Sequence, residues 1–245
     1  MILEPHDISR FIYCPLLPKG VQVYEESTPF ESYVGKAIVE AEHYCLLKDR
    51  ALVQRKIINT WDNLWWPACP SLKIPFKEAS KLSIQASAFF ADYCKYDISD
   101  YTCPTISTNV ESQVNIGSSI LKAKVDLLKV DLSSGGKNMM LIDFRKKGLS
   151  QMDITLDPGI RATALAFSRG QGEYIHYVVA EINENKKKLQ ISSAIFRPEE
   201  IEKTANFLSF VERGIRMGVT YGNRWNCKEC QRCQSFKSLM RKDIL

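Results

Sequence analysis

The sequence predicts an α/β protein in which a mixed central β-sheet is flanked by helices. Apolar residues spaced by three and four mark two long segments before residue 100, which indicates helices. From residue 108 apolar and polar residues alternate, which indicates strands. Helical spacing returns twice after that point, each time behind strands. The predicted order is therefore helices, three strands, a helix, two strands and a helix.

The first part of the chain is predicted to contain two helices, over residues 30–55 and 77–96, because few helix-breaking residues interrupt them. The connection between them is rich in Trp and Pro and contains Trp61, Trp65 and Trp66. Aromatic side chains in a loop can stack on unpaired bases, but packing over a helix pair is commoner. We expect these three side chains to pack.

A meander of three strands is predicted next. Its members are residues 107–116, 118–132 and 139–144, and a Ser- and Gly-rich turn precedes the third strand. In the second strand, strict alternation would place Asp126 on one face and its neighbours Val125 and Leu127 on the other. The second strand therefore carries an acid within an apolar pattern.

The rest of the predicted fold is a helix, a strand pair and a final helix. The helix covers residues 157–170 and has Pro158 near its first turn. The two strands, residues 173–182 and 188–196, pair around a short turn. The last helix covers residues 198–217 and begins with acids beside the positive end of its dipole.

Composition favours one large intracellular domain. The chain has 245 residues and is 45% hydrophobic, enough to bury a full core. We divide the domain into an N-terminal cysteine segment with helices (1–107), a sheet core (108–196) and a C-terminal helix with a cysteine cluster (197–245). No apolar run is long enough for a membrane span, and the N-terminus lacks the pattern of a signal peptide. We expect a soluble, cytoplasmic protein whose eight cysteines are reduced or metal-bound.

Three cysteines near the C-terminus form the densest chemical signal in the chain. Cys227, Cys230 and Cys233 are each separated by two residues, so their thiolates can reach one metal centre. A fourth ligand is needed, and Cys14, followed by Pro15, is the candidate if the fold brings the two chain ends together. A zinc ribbon normally has two CxxC pairs close in sequence, which this chain lacks, although zinc stays an alternative to iron and sulfur.

The C-terminal cysteines lie in a basic segment. Residues 224–245 contain six Lys or Arg against two acids. A basic surface attracts nucleic-acid phosphates, although a charged tail is more often only solvated. The other cysteines, Cys45, Cys69, Cys94 and Cys103, are interpreted as small apolar residues of the helices and their connections.

Two acids of the meander form a candidate metal site. Asp126 belongs to the second strand, and Asp143 lies near the end of the third, with Arg145 two residues later on the same face. Acids at neighbouring strand ends beside a basic side chain suit a hard divalent ion. Glu111, on the preceding strand, either joins this site or faces water.

These segments resemble the PD-(D/E)XK nuclease superfamily, and specifically its RecB-like iron–sulfur branch, which includes CRISPR-associated exonucleases. The resemblance covers most of the chain. IYCP from Ile12 resembles the first cluster cysteine, GKAIVEA from Gly35 the first helix motif, KAKVDLL from Lys122 the strand with the first acid, and IDFRKKG from Ile142 the acid-x-lysine strand. The C-terminal cysteines resemble the remaining cluster ligands.

The resemblance implies a restriction-endonuclease-like core whose termini are joined by a 4Fe–4S cluster on Cys14, Cys227, Cys230 and Cys233. It also implies that Asp126 and Asp143 bind magnesium or manganese and that the protein cuts DNA. We therefore expect a metal-dependent DNA nuclease, an exonuclease acting on single strands or ends. Arg145, Lys146 or Lys124 would supply positive charge to the scissile phosphate.

The sequence departs from the family pattern at several positions. Val39 stands where the family commonly has a metal-binding histidine, and His43 lies one turn later. Arg145 replaces the motif lysine, and its high pKa makes it a poor group for deprotonating water. The glutamine-and-tyrosine helix motif is replaced by Arg161 and Leu165, and the C-terminal cysteines are more tightly spaced. These departures keep open a second hypothesis: a nuclease-derived subunit, without catalysis, that binds DNA or a helicase.

Overall fold

The computed structural model describes residues 1–13, 28–45, 50–95, 104–145, 151–168, 173–183 and 188–218. Seven helices are present in these ranges: α1 (Pro5–Tyr13), α2 (Pro29–Tyr44), α3 (Arg50–Ala68), α4 (Phe76–Lys95), α5 (Gln151–Leu156), α6 (Pro158–Phe167) and α7 (Pro198–Arg216). Six strands accompany them: β1 (Ile2–Leu3), β2 (Thr105–Ile116), β3 (Ser119–Val130), β4 (Met139–Arg145), β5 (Ile175–Asn183) and β6 (Lys188–Phe196).

The predicted α/β class is confirmed, because all six strands form one mixed sheet with helices on both sides. The three-stranded meander is β2, β3 and β4, and each neighbouring pair is antiparallel. After β4 the chain crosses over through α5 and α6, so β5 pairs with β4 in parallel, and β6 then pairs antiparallel with β5. The predicted helix at residue 158 and the predicted final helix are α6 and α7.

The N-terminal helices were predicted with wrong boundaries. The expected single helix over residues 30–55 is two helices, since α2 ends at Tyr44 and α3 begins at Arg50. Trp61, Trp65 and Trp66 lie within α3 and not in a connection. Packing explains this, because the stacked rings of Trp61 and Trp65 are 2% and 0% exposed between α2 and α4, so tertiary burial outweighs weak helix propensity. The prediction that these tryptophans pack is confirmed for Trp61 and Trp65.

Helices cover the two faces of the sheet in separate groups. The face that we call the α6 side packs against α1, α5, α6 and α7. The opposite face, the α2 side, packs against α2, α3 and α4. On β4 and β5 the cores alternate, with Leu141, Tyr177 and Val179 on the α6 side and Ile142 and Val178 on the α2 side. None of the described helices is long and apolar enough to cross a membrane.

Among the described elements, only those of the α6 side cover the half of the β2–β3 hairpin that lies nearest its turn. Leu121, Ala123 and Val125 of β3 are buried there, while Lys122 and Lys124 between them are exposed on the other face. At the hairpin turn the Oγ of Ser119 donates to Oε1 of the buried Glu212 of α7 at 2.6 Å. The hairpin therefore extends beyond the cover of α2 and exposes one face of its sheet.

Candidate functional site

Strand β4 separates from β3 at the two predicted acids. Strand β2 pairs along the whole of β3, so β1 and β4 share the other edge of β3. The pairing of β3 with β4 ends at Leu127 and Ile142, which are the immediate neighbours of Asp126 and Asp143. Beyond this point Oδ2 of Asp126 accepts a hydrogen bond from the backbone N–H of Phe144 at 2.7 Å. The Asp126 carboxylate thus bridges the two strands where they part.

An irregularity in β2 lies opposite Asp126. Asn109 has a φ of 50°, a left-handed conformation that Asn adopts more readily than most residues, and the ladder pairs flank it without including it. The side-chain alternation of β3 changes at the same level, because Val125 packs on the α6 side and Leu127 on the α2 side. The prediction that Val125 and Leu127 share a face is therefore wrong, since a break in the ladder re-aims the side chains.

Asp126 lines a pocket of about 590 Å³ on the α2 side. Residues 31–40 of α2 form one wall, Leu64 of α3 and Asn109 of β2 add to it, and Phe144 and Ile182 lie near the strand ends. Gly35 of α2 faces Phe144, and a Cβ placed on it would lie 3.4 Å from the Phe144 Cβ. A methyl group at this position would therefore make an ordinary van der Waals contact with the sheet beside the pocket.

Acids outnumber bases in the wall of this pocket. Glu31, Glu40 and Asp126 face a single lysine, Lys36, among the lining residues. Glu31 has a structural role, because its Oε2 accepts from the Thr28 N–H at 2.9 Å while Thr28 Oγ1 accepts from the Glu31 N–H. The Glu40 and Lys36 side chains are exposed, and Asp126 is half-buried. Asp126 and Glu40 are thus the carboxylates that a ligand can reach.

A buried polar contact holds the other end of α2 on the sheet. Glu42 is 2% exposed, and its two carboxylate oxygens accept from the Tyr93 hydroxyl at 2.6 Å and from the Thr105 hydroxyl at 2.8 Å. These donors belong to α4 and β2, so a single carboxylate links three elements. Because hydrogen bonds to a buried charge are strong, this contact fixes α2 beside the pocket.

Asp143 occupies a different environment from Asp126. Its side chain is on the α6 side, where its Oδ2 accepts from the hydroxyl of Tyr177, and Asp143 is 9% exposed. Asp143 is not among the described residues that line the Asp126 pocket. The fold therefore brings the two acids to neighbouring strand positions but turns their carboxylates toward different sides of the sheet.

The basic candidates are placed in part. The backbone of Arg145 continues β4 and pairs with Glu181 of β5, whereas its side chain and all of Lys146 lie outside what the structure describes. Lys124 is exposed and sits across from Glu111, which is also exposed. Glu111 faces water rather than the pocket.

The structure also describes the contacts of the positions at which the sequence departs from the pattern of the family that it resembles. Val39 lines the pocket, as the family position would, but one turn later Nδ1 of His43 lies 3.0 Å from the hydroxyl of Thr108 on β2. The Arg161 guanidinium donates to the Thr155 carbonyl at 2.6 Å, and Leu165 is buried on the α6 side. Neither Arg161 nor Leu165 is among the described pocket residues.

The proposed cluster ligands lie outside the described residues, because Cys14 and all residues from 219 onward do so. Within the described ranges no group of three or more His, Cys, Asp or Glu side chains is arranged to hold a metal ion. Cys45 and Cys69 are buried, as predicted, and burial raises the pKa of the Cys69 thiol. A buried thiol with a raised pKa is a poor nucleophile.

Sequence reasoning gave no role to several pocket residues, among them Tyr33, Lys36, Glu40 and Asn109. Tyr33 and Lys36 are one turn apart on α2, and the Lys36 Nζ lies 5.1 Å from the centre of the Tyr33 ring. Lys36 and Glu40 both belong to the first helix motif and lie one turn apart, which was a usable signal. The left-handed Asn109 left no signal in a segment that otherwise alternates as a strand.

The chain was compared with known proteins by family and by sequence. No protein-family model matches it, and no curated protein matches it either.

Proposed function

We propose that this protein is a metal-dependent DNA nuclease of the PD-(D/E)XK type, acting as an exonuclease on single strands or ends. The observation that carries the proposal is that Asp126 and Asp143 occupy neighbouring strand positions at the point where β4 leaves β3, with their carboxylates on different sides of the sheet. The Asp126 carboxylate accepts from the N–H of Phe144, the residue next to Asp143. The order of a helix, an antiparallel meander, a crossover helix and a parallel strand supports a restriction-endonuclease-like core.

The donor set suits a hard divalent ion, because both acids supply carboxylate oxygens from adjacent strands. Asp126 and Asp143 would hold magnesium or manganese, which would supply an activated water and positive charge at the scissile phosphate. Asp126 is half-buried and open to the pocket, so it would present the ligand oxygen that solvent and DNA can approach. Asp143 would have to turn from the α6 side, where Tyr177 donates to its Oδ2, to add a second carboxylate to the ion. Arg145, Lys146 or Lys124 would balance phosphate charge.

The proposal includes a 4Fe–4S cluster on Cys14, Cys227, Cys230 and Cys233, and this part is carried by the sequence. Such a cluster would join the chain ends beside the basic C-terminal segment. Iron and acid-labile sulfide analysis of an anaerobic preparation, with its visible absorption spectrum, tests it. Zinc found in place of iron would replace the cluster with a structural zinc site.

A second candidate is a nuclease-derived subunit that binds DNA or a helicase partner without cutting. The near-complete burial of Asp143 and its bond to Tyr177 favour it, because a ligand carboxylate would have to turn from the α6-side core toward the ion. Val39 and Arg145, which stand in place of the histidine and lysine of the family motif, favour it as well.

Cleavage assays on the cluster-loaded protein separate the two candidates. With manganese, the wild-type chain should degrade labelled single-stranded DNA, and Asp126→Asn should lower the rate about 100-fold because a metal ligand is removed. Asp143→Asn should do the same. Glu202→Gln is the matched control, since it removes an exposed acid of α7, away from the pocket and the hairpin.

Arg145→Lys sharpens the test by restoring the motif lysine, and under the nuclease proposal it should raise the cleavage rate. A folded, cluster-loaded wild-type protein that leaves single- and double-stranded DNA intact with both metals would overturn the nuclease proposal. If that protein still binds DNA and Asp143→Asn does not weaken the binding, the subunit hypothesis replaces it.

A further inference from the structure

We propose that the Asp126 pocket and the open face of the β2–β3 hairpin form one continuous track for single-stranded nucleic acid. In this track the pocket receives a base, and the hairpin face receives phosphates. The proposal deepens the proposed function by naming the form of the substrate and the residues that select it. It rests on the placement of the acids, the lysines and Tyr33.

Acids predominate among the reachable side chains of the pocket, and lysines predominate on the hairpin. In the pocket Asp126 and Glu40 repel phosphate when no divalent ion is bound, but they accept hydrogen bonds from the amino groups of bases. The exposed lysines are Lys36 in the pocket wall and Lys122 and Lys124 on the hairpin. A nucleotide would therefore enter with its base inward and its phosphates toward the lysines.

The hairpin face continues directly from the pocket. Asn109 and Asp126 line the pocket, and the same side of β2 and β3 then presents Lys124 and Lys122. At a rise of about 3.3 Å per residue these lysines lie about 7 and 13 Å from Asp126 along β3. The residues across from them, Glu111 and Gln113, are exposed too, so no described helix covers this face.

Tyr33 provides a stacking surface at the pocket. Its ring is half-buried and meets the buried Trp65 edge-on at a centroid distance of 6.0 Å, which fixes its orientation. A preoriented aromatic ring stacks on any base without ordering a flexible side chain. Glu40 and Asn109 add acceptors near the base edge, while Asp126 would serve the metal ion of the proposed function.

A recessed pocket selects single strands because a base must leave its stack to enter it. A duplex has to unpair and unstack that base first, whereas a single strand or a frayed end does so at lower cost. The track therefore predicts tighter binding of a single strand than of its duplex.

Fluorescence anisotropy with a short labelled oligonucleotide of mixed sequence tests the track. The full cluster-loaded chain is used without divalent metal, so that binding is measured apart from cleavage. Tyr33→Ala should weaken single-strand binding about tenfold, and Tyr33→Phe should retain it because the ring remains. The double variant Lys122→Ala/Lys124→Ala should reduce the salt dependence of binding, by about 0.7 in the log–log slope for each phosphate that the variant no longer neutralises.

Lys203→Ala and Phe210→Ala are the matched controls, because both remove exposed side chains of the same type from α7, on the other side of the sheet. Their affinities should equal that of the wild type. Equal affinity for strand and duplex, or Tyr33 and lysine variants that bind as the controls do, would overturn the track even if the protein cuts DNA. A wild type that binds strands through these residues but never cuts would overturn the nuclease proposal and leave the track standing.

Discussion

The two sides of the sheet give the acids at the separation of β3 and β4 different environments. On the α6 side, Asp143 is 9% exposed and bonded to Tyr177 within a core that four helices cover. On the α2 side, Asp126 lines an open pocket, and no described element covers the hairpin beyond it. One side is therefore built as a closed core and the other as a surface that can receive a ligand.

The comparison shows how a single strand separation can serve stability and binding together. Asp126 replaces the missing ladder partner of the Phe144 N–H, so this backbone donor stays hydrogen-bonded where β4 departs. Asp143 instead extends the polar contacts of the closed side. Substitutions on the α6 side should therefore change the free energy of unfolding, while equivalent substitutions beside the pocket should change the affinity for ligands.

A matched pair of glycines tests this contrast with the largest expected effect. Gly159→Ala on α6 would place a Cβ 2.6 Å from Ser9 Oγ and 3.2 Å from the Pro5 carbonyl oxygen, so α1 would have to move. We expect it to lower the free energy of unfolding by about 2 kcal/mol, as overpacking does. Gly35→Ala on α2 meets Phe144 and Ile182 at 3.4 and 3.6 Å and should be neutral or slightly stabilising.

Urea denaturation of the two variants measures the difference directly. Circular dichroism at low denaturant serves as the control that both variants keep the wild-type helix content. Equal destabilisation by the two substitutions would show that the α2 side is packed as tightly as the α6 side, and the contrast would then fail.

Removing the hydroxyl that binds Asp143 should have the next largest effect. Tyr177→Phe keeps the ring, which is fully buried, but deprives a buried carboxylate of one donor. We expect a decrease of about 1 to 2 kcal/mol in the free energy of unfolding, measured by urea denaturation at neutral pH. Tyr174→Phe, at an exposed tyrosine before β5, is the matched control. An unchanged unfolding midpoint for Tyr177→Phe would place Asp143 outside the closed core.

Much of the architecture could be predicted from the sequence because its periodicities are local. The alternation of β2 and β3 and the acids that begin α7 identify their elements within a few residues. The second half of α3 was interpreted as a connection, since Trp-rich segments have weak intrinsic helix preference. Burial of Trp61 and Trp65 against Phe30 makes them helical, and that contact is invisible in sequence.

The candidate site was predictable in its residues but not in its geometry. Asp126 and Asp143 stand out as acids within apolar strands, and the structure places them at one strand separation. Their carboxylates point to different sides of the sheet because the left-handed Asn109 breaks the β2–β3 ladder opposite Asp126. A single positive φ changes which side chains share a face, and simple alternation cannot anticipate it.

The smallest predicted effect concerns the part of the α2 side that lies away from the pocket. His176 is half-buried near the start of β5, across from Met140 and Ile195, and burial lowers its pKa from the ordinary value of 6.5. The unfolded chain therefore binds a proton more readily than the folded protein. The free energy of unfolding should fall as the pH drops below about 6.5, because the unfolded state is protonated first.

His176→Gln should flatten this part of the stability profile, measured by urea denaturation between pH 7.5 and 5.5, about one unit on either side of the ordinary His pKa. His43→Gln, at an exposed histidine on α2, is the control variant. If the free energies of unfolding of the wild type and His176→Gln fall in parallel on acidification, His176 binds protons equally well in the folded and unfolded states. The α2 side is then open to water at both ends of β5. A profile flattened by His176→Gln alone means that the opening is confined to the end of β5 where Ile182 lines the pocket.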